Sequence, residues 1–410
     1  MVWMLLKALY GLKEAPRAWH VTLVDYLRSI GFTQSSVEPC IFTHDERGLW
    51  VVVVMDDMLY SPAVGREADA EWFKQQLHGK FGIKDLGHPE RFLGMKVTYD
   101  KEEGILALSQ EKYVQKLIQR FNMSDRNGEI PCQGAKTPFP SGVKLSKTME
   151  PTTKEQHDHM SKVPYREAVG SLLYSAVTLR PDIAYAVKEC AMYCNCAGKR
   201  HWEAVKHIIR YLRETATRAL TFRRPADKSV KILAYADSSH ADLENGRSTG
   251  GYVIYLCGNP VAWRCKNQPI VAASTTEAEY IEASECAREI VHIQQLLQAF
   301  GTKSERTTIL VDNRGAQSVS YNAEMSDRTK AIRVRYHLVR EKVEAGEVEV
   351  GWIPSAENVA DVLTKNLPAG KHTPVTEKLF SNPSHATQDF LLPRGTRMDV
   401  ESDEESDMDA

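Results

Sequence analysis

Four acidic residues in the second half of the chain have the types and positions of a metal site. Two end predicted strands and two lie near the starts of predicted helices: Asp237, Asp312, Glu279 and Asp361. Strand ends and helix starts can converge at one edge of a mixed sheet, where four carboxylates repel one another unless cations neutralise them. Such a cluster can bind two Mg²⁺ or Mn²⁺ ions about 3.5–4 Å apart and hydrolyse a phosphodiester bond. Acids at strand ends are also common turn formers, so the spacing alone is equally compatible with acids in solvated turns.

A second acidic pair, Asp56 and Asp57, stands between two apolar segments. Adjacent carboxylates in that setting are costly unless they bind a metal or lie at the tip of a hairpin in water. The pattern leaves both interpretations open.

The elements that could position the four carboxylates follow one another from residue 229 onwards. An antiparallel meander and then alternating helices and strands predict a mixed sheet with helices on its faces. The predicted strands are residues 230–236, 250–257, 260–265, 270–273, 308–311 and 347–353, and the predicted helices are residues 276–300, 315–322, 336–345 and 358–365.

The rest of the chain divides by composition. Residues 1–130 mix predicted helices and hairpins, residues 131–162 are a linker rich in Pro, Gly, Ser, Thr and Lys, and residues 163–228 are a helical connection. We expect the mixed-sheet domain to span residues 229–370 and residues 371–410 to be a disordered acidic tail whose partner is unknown.

Charge is distributed unevenly along the chain. The formal charge is −2, but residues 399–410 contain seven acids and no base, so the remainder carries +5. Basic residues outnumber acids over residues 180–223. These basic residues form either a nucleic-acid-binding face or an ordinary solvated helix face, and the sequence does not decide between the two. They include Lys199, Arg200, Lys206 and Arg210.

The composition excludes a fibrous or largely disordered protein, because 42% of the 410 residues are apolar and 26% are charged. No apolar run approaches the ~18–20 residues of a membrane span, and the N-terminal residues lack the features of a signal peptide. We expect an intracellular protein, cytoplasmic or nuclear, that is neither secreted nor membrane-bound.

Motifs in the first block resemble those of a known family. Residues 8–19 have the sequence Ala-Leu-Tyr-Gly-Leu-Lys-Glu-Ala-Pro-Arg-Ala-Trp, which resembles a signature of copia-type retrotransposon reverse transcriptases. Asp56 and Asp57 resemble the paired-aspartate hairpin of the polymerase palm, and residues 91–95 resemble the hairpin that grips the primer. The resemblance implies nucleic-acid contacts at four positions, which are Arg17, Lys84, Phe92 and Gly94.

Motifs in the last block are similar to the copia-type ribonuclease H domain. They are residues 247–252, 274–280, 311–313, 335–342 and 360–365. The resemblance implies that Asp237, Glu279, Asp312 and Asp361 bind two Mg²⁺ or Mn²⁺ ions and that the substrate is the RNA strand of an RNA–DNA hybrid. Glu279 is preferred over Glu277 because it directly precedes Tyr280. The two glutamates are also about 200° apart on a helix, so both cannot face one site.

The polymerase half departs from the family pattern. The first palm carboxylate of the family lies upstream of the segment that begins here at residue 8, Val54 replaces a Tyr, and Glu14 replaces a Gln. We therefore expect an α+β or mixed α/β chain, in which a truncated palm and thumb is followed by a ribonuclease H-like mixed five-stranded sheet with flanking helices. We expect the palm and thumb to be inactive as a polymerase alone, or to need a missing fragment or a protein partner. The alternatives to a ribonuclease H are a non-catalytic nucleic-acid-binding protein and a decayed retroelement remnant.

Overall fold

The structure is a computed structural model that describes residues 8–9, 11–123, 134–225, 229–322 and 334–380. It divides into two units. One contains the described residues up to Pro89 together with Val291–Lys303, and the other contains the remainder. The sequence placed residues 90–123 in the first block, but they group with the second unit because a strand among them pairs with a strand about 110 residues later.

The first unit is an antiparallel sheet packed against two helices. One of its two inner strands, Leu49–Val54, alternates buried and half-buried residues. This is the period of a strand with one face in a core. The core includes Leu23, Phe42 and Phe73. The elements are α1 (Ala15–Ser29), β1 (Thr33–Gln34), β2 (Ile41–His44), β3 (Leu49–Val54), β4 (Asp57–Pro62) and α2 (Glu67–Phe81), with strand order β1-β2-β3-β4.

The second unit begins with a four-stranded antiparallel sheet and a group of helices. Phe139 and Leu145, in the segment expected to be a linker, are buried in the core that these helices form. The elements are β5 (Arg91–Phe92), β6 (Met95–Asp100), β7 (Ile105–Ser109), α3 (Glu111–Arg120), α4 (Lys154–Met160), α5 (Tyr165–Thr178), α6 (Ala184–Ala191), α7 (Lys199–Glu214) and β8 (Ala219–Arg223), with strand order β5-β6-β7-β8.

A five-stranded mixed sheet follows, which confirms the predicted fold class. Its first three strands are antiparallel and its last two run parallel to the central strand. The elements are β9 (Lys231–Ser239), β10 (Thr249–Leu256), β11 (Asn259–Asn267), α8 (Thr275–Ala299), β12 (Arg306–Val311), α9 (Arg314–Tyr321), α10 (Leu338–Glu344), β13 (Glu349–Trp352), α11 (Asp361–Thr364) and α12 (Ala369–Phe380), with strand order β11-β10-β9-β12-β13.

Two sequence-based expectations about this region differ from the structure. Residues 270–273 do not form a strand but link β11 to α8, and the N–H of Ala273 donates to Glu277 at the start of that helix. Residues 369–380 form α12, where the sequence predicted the start of a disordered tail. The apolar residues of α12 explain this, since Leu379 is buried in the core beside β9 and β10. The acidic residues 399–410 lie outside the described part of the chain.

A buried ion pair lies among the helices of the second unit and is connected to α12 through Tyr211. The guanidinium of Arg180 donates to both carboxylate oxygens of Asp182, at 2.9 and 2.8 Å, and both side chains are buried. Tyr211 donates to the same carboxylate at 2.8 Å, and its ring contacts His372 of α12 edge-on.

Among the described helices, none is long and apolar enough to cross a membrane.

Two adjacent glycines in β10 let helices approach both faces of the sheet. A Cβ at Gly250 would lie 1.8 Å from the Glu282 carboxylate of α8, and a Cβ at Gly251 would lie 2.8 Å from Leu363 Cβ of α11. Successive strand residues point to opposite faces, so each glycine serves one helix. Gly251 is also the register partner of Asp237 in β9.

Replacing Gly251 by alanine should push α11 away from the sheet. We expect Gly251→Ala to lower the free energy of unfolding by about 1–3 kcal/mol, the usual cost of overpacking. Thermal or urea unfolding measures this. Gly170→Ala is the control, because Gly170 lies in α5 and a Cβ added there would have no neighbouring atom within 4 Å. An equal effect of the two substitutions would contradict the close-approach argument.

Glu282 should make stability depend on pH. Burial raises the pKa of Glu282 to about 8, against the opposing effect of Arg264, so the folded state holds a proton that the unfolded chain loses near pH 4.5. Stability from this group is therefore full below pH 4.5 and falls as the pH rises towards 8. We expect Glu282→Gln to change urea stability little at pH 5 and to raise it at pH 8, by on the order of 2 kcal/mol.

Glu285 supplies the matched control for this titration. Although burial opposes it, ion pairs with Arg264 and Arg288 lower the pKa of Glu285. Glu285→Gln should therefore lose stability relative to wild type above pH 4.5. If both variants respond to pH in the same direction, the assignment of the buried proton to Glu282 is wrong.

Candidate metal centre

Two parallel strands bring Asp237 and Asp312 to one edge of the mixed sheet. The register pairs Leu310 of β12 with Tyr235 of β9, and each aspartate lies two residues further along its strand direction. Asp237 is fully buried, while Asp312 is half-buried. The convergence expected of strand ends is therefore produced by the parallel β9–β12 pair.

Glu279 of α8 completes a group of three carboxylates. One oxygen each of Asp237, Glu279 and Asp312 lies within 4.8 Å of the others. Glu279 Oε1 accepts hydrogen bonds from the backbone N–H and hydroxyl of Ser238, at 3.0 and 3.1 Å. Glu279 Oε2 is buried and has no hydrogen-bond partner among the described residues.

Glu277 faces elsewhere, as its helical spacing from Glu279 predicts. Its carboxylate accepts from the backbone N–H of Ala273 at 2.7 Å, and its own N–H donates to Ser274 Oγ at 3.1 Å. These contacts fix the start of α8 rather than the carboxylate group.

Asp361 is connected to the group through a lysine. Asp361 begins α11, and Lys365 directly follows that helix. The ammonium of Lys365 lies 2.6 Å from Asp361 Oδ1 and 3.2 Å from Asp237 Oδ1. Thr364 donates a hydrogen bond to the other oxygen of Asp237. All four acids predicted from the sequence are thus neighbours, and Asp361 lies beside the group that the other three form.

The electrostatics of the site favour a bound cation. Burial raises the pKa of Asp237 to about 6, with Lys365 opposing and Asp361 and Asp312 adding to the shift. Burial, Asp237 and Asp312 likewise raise the pKa of Glu279, against its hydrogen bonds from Ser238. Carboxylate oxygens are the donors that Mg²⁺ and Mn²⁺ prefer, and the unpartnered buried Oε2 of Glu279 fits a ligand atom.

Three contacts that support the site were not found from the sequence. Trp352 of β13 donates from Nε1 to the backbone carbonyl of Asp312 at 3.0 Å, and Arg314 stacks over its ring at 3.9 Å. Asn358 donates to the carbonyl of Ala236 at 3.0 Å. Only long-range contacts reveal these roles, whereas the spacing of four between Asp361 and Lys365 could have suggested their ion pair.

The acidic pair of the first unit lies at a hairpin tip. Asp57 begins β4 opposite Val54, and Met55 at the turn has a φ of 54°. Asp56 and Asp57 are both exposed. Within the described residues, no third carboxylate joins them in a metal-binding group.

The residues predicted to bind nucleic acid occupy different settings. Those on the surface are Arg17, Lys84, Gly94, Lys199 and Arg200, and those that are half-buried are Phe92, Lys206 and Arg210. Lys206 pairs with Glu203 at 2.7 Å, which favours the solvated-face interpretation for that residue. Their role in binding stays a prediction.

Comparison with known proteins identifies the first block. A family model described as reverse transcriptase (RNA-dependent DNA polymerase) matches residues 1–133. The chain is 39% identical to the Pol polyprotein from transposon TNT 1-94 of Nicotiana tabacum, over 90% of this chain and 27% of that protein. It is 34% identical to the Pol polyprotein from transposon RE1 of Arabidopsis thaliana, over 88% of this chain and 24% of that protein.

A shorter relative matches over most of its length. The transposon Ty5-1 protein YCL074W of Saccharomyces cerevisiae is 31% identical, over 70% of this chain and 90% of that protein. The chain spans about a quarter of the length of the two plant Pol polyproteins. These matches confirm the resemblance drawn from the motifs, and the chain belongs to the family of copia-type retrotransposon Pol proteins.

Proposed function

We propose that the mixed-sheet domain, residues 229–370, is a ribonuclease H that hydrolyses the RNA strand of RNA–DNA hybrids. The observation that carries the proposal is the approach of Asp237, Glu279 and Asp312 within 4.8 Å, with Asp361 beside them. These four residues would hold two Mg²⁺ or Mn²⁺ ions. When bound, the ions would supply an activated water and stabilise the leaving 3′ oxygen.

The side chains around the carboxylates orient them for this task. Ser238 fixes one oxygen of Glu279 and leaves the other free, and Trp352 holds the backbone at Asp312. Lys199 and Arg200, exposed in the first turn of α7, would contact the hybrid backbone. Contacts to 2′-hydroxyl groups would distinguish the RNA strand from the DNA strand.

Cleavage should depend on the carboxylate group. We expect the full chain to cleave labelled RNA in an RNA–DNA hybrid when Mg²⁺ or Mn²⁺ is present, and Asp312→Asn to lower the rate by about 100-fold or more because a metal ligand is weakened. Glu279→Gln should have a similar effect. Glu277→Gln is the matched control, since Glu277 contacts the helix start instead of the carboxylate group.

The same assay decides between the alternatives. If folded wild-type protein cleaves no hybrid, the ribonuclease H proposal is wrong. Hybrid affinity then distinguishes a non-catalytic binding protein, which retains affinity, from a decayed remnant, which does not.

We further propose that this chain does not extend primers by itself. The support is that Asp56 and Asp57 are exposed at a hairpin tip and gain no third carboxylate from the described residues. A primer-extension assay on an RNA template with Mg²⁺ or Mn²⁺ should therefore give no product. A product that disappears in Asp56→Asn would show that the pair is an active polymerase site.

A further inference from the structure

Lys365 lies where a cation is needed among the carboxylates. Its ammonium is 3.2 Å from Asp237 Oδ1 and 2.6 Å from Asp361 Oδ1, so it contacts two of the four proposed metal ligands at once. Asp237 is buried, and Lys365 therefore neutralises charge that water cannot screen.

One local contact and two contacts between distant parts of the chain place Lys365 there. Asp361 and Lys365 are four residues apart across the single turn of α11. The missing side chain at Gly251 allows α11 to approach β10 opposite Asp237, and Thr364 donates to the second oxygen of Asp237. The lysine side chain nevertheless stays 36% exposed, so it has a route to solvent.

We propose that Lys365 is a tethered counter-ion of the metal-free centre, and that it leaves Asp237 and Asp361 when divalent ions bind. The inference rests on the proposed metal-binding function. A divalent ion takes carboxylate oxygens at about 2.0–2.1 Å, so an ammonium hydrogen-bonded to the same oxygens competes with it for position and repels it by charge. The flexible four-carbon stem of lysine permits the withdrawal.

The test is Mn²⁺ binding to the full chain without nucleic acid, by isothermal titration calorimetry. We expect Lys365→Met to bind Mn²⁺ about tenfold more tightly than wild type, because a competing positive charge is removed. Lys365→Arg, which keeps the charge, should bind as wild type does. Lys342→Met is the matched control, since Lys342 forms an ion pair with Glu347 in the same unit. Lys365→Gln replaces Lys365→Met if the latter fails to fold.

A second measurement separates competition from a structural effect. In EDTA, Lys365→Met should melt at a lower temperature than wild type, and added Mn²⁺ should raise its melting temperature by more. If the variant binds Mn²⁺ no more tightly than Lys342→Met, while Asp312→Asn loses binding, the inference about Lys365 is wrong and the metal centre stands. Equal binding by wild type and Asp312→Asn overturns the proposed function together with this inference.

Discussion

The structure of the second unit depends on keeping a buried carboxylate, Asp237, near the end of the central strand β9. Burial disfavours its charge, and nearby Asp312 and Asp361 increase the cost. Hydrogen bonding from Thr364 and the ammonium of Lys365 offset part of it. A buried ionised group is retained when partners or metals stabilise it, so these contacts connect the stability of the fold to its proposed chemistry.

The sheet topology and two glycines bring the other residues of the site close to Asp237. The parallel β9–β12 pair brings two aspartates to one edge, and Gly250 and Gly251 let α8 and α11 close on opposite faces of β10. Helix packing therefore explains the two glycines of the 247–252 motif. Convergence at one edge of the sheet explains the acids of the other motifs.

Much of this arrangement follows from local patterns. Alternating and helical periodicities predicted the mixed sheet, and the helical angle between Glu277 and Glu279 separated a residue at the helix start from one in the carboxylate group. The pairing of β7 with β8, the packing of α12 and the support of Asp312 by Trp352 could not be predicted, because each depends on contacts between residues far apart in sequence. Residues 270–273 show the same limit, since their apolar pattern suits a strand, but none of the described sheets includes them.

The location of a bound ion would show whether Asp237, Glu279 and Asp312 form a metal centre. Crystals of the full chain soaked in Mn²⁺ and measured for anomalous scattering would show where the ion binds. We expect a peak about 2.0–2.2 Å from carboxylate oxygens of Asp237, Glu279 and Asp312. Anomalous peaks at other surface acids, with none between these three residues, would contradict it.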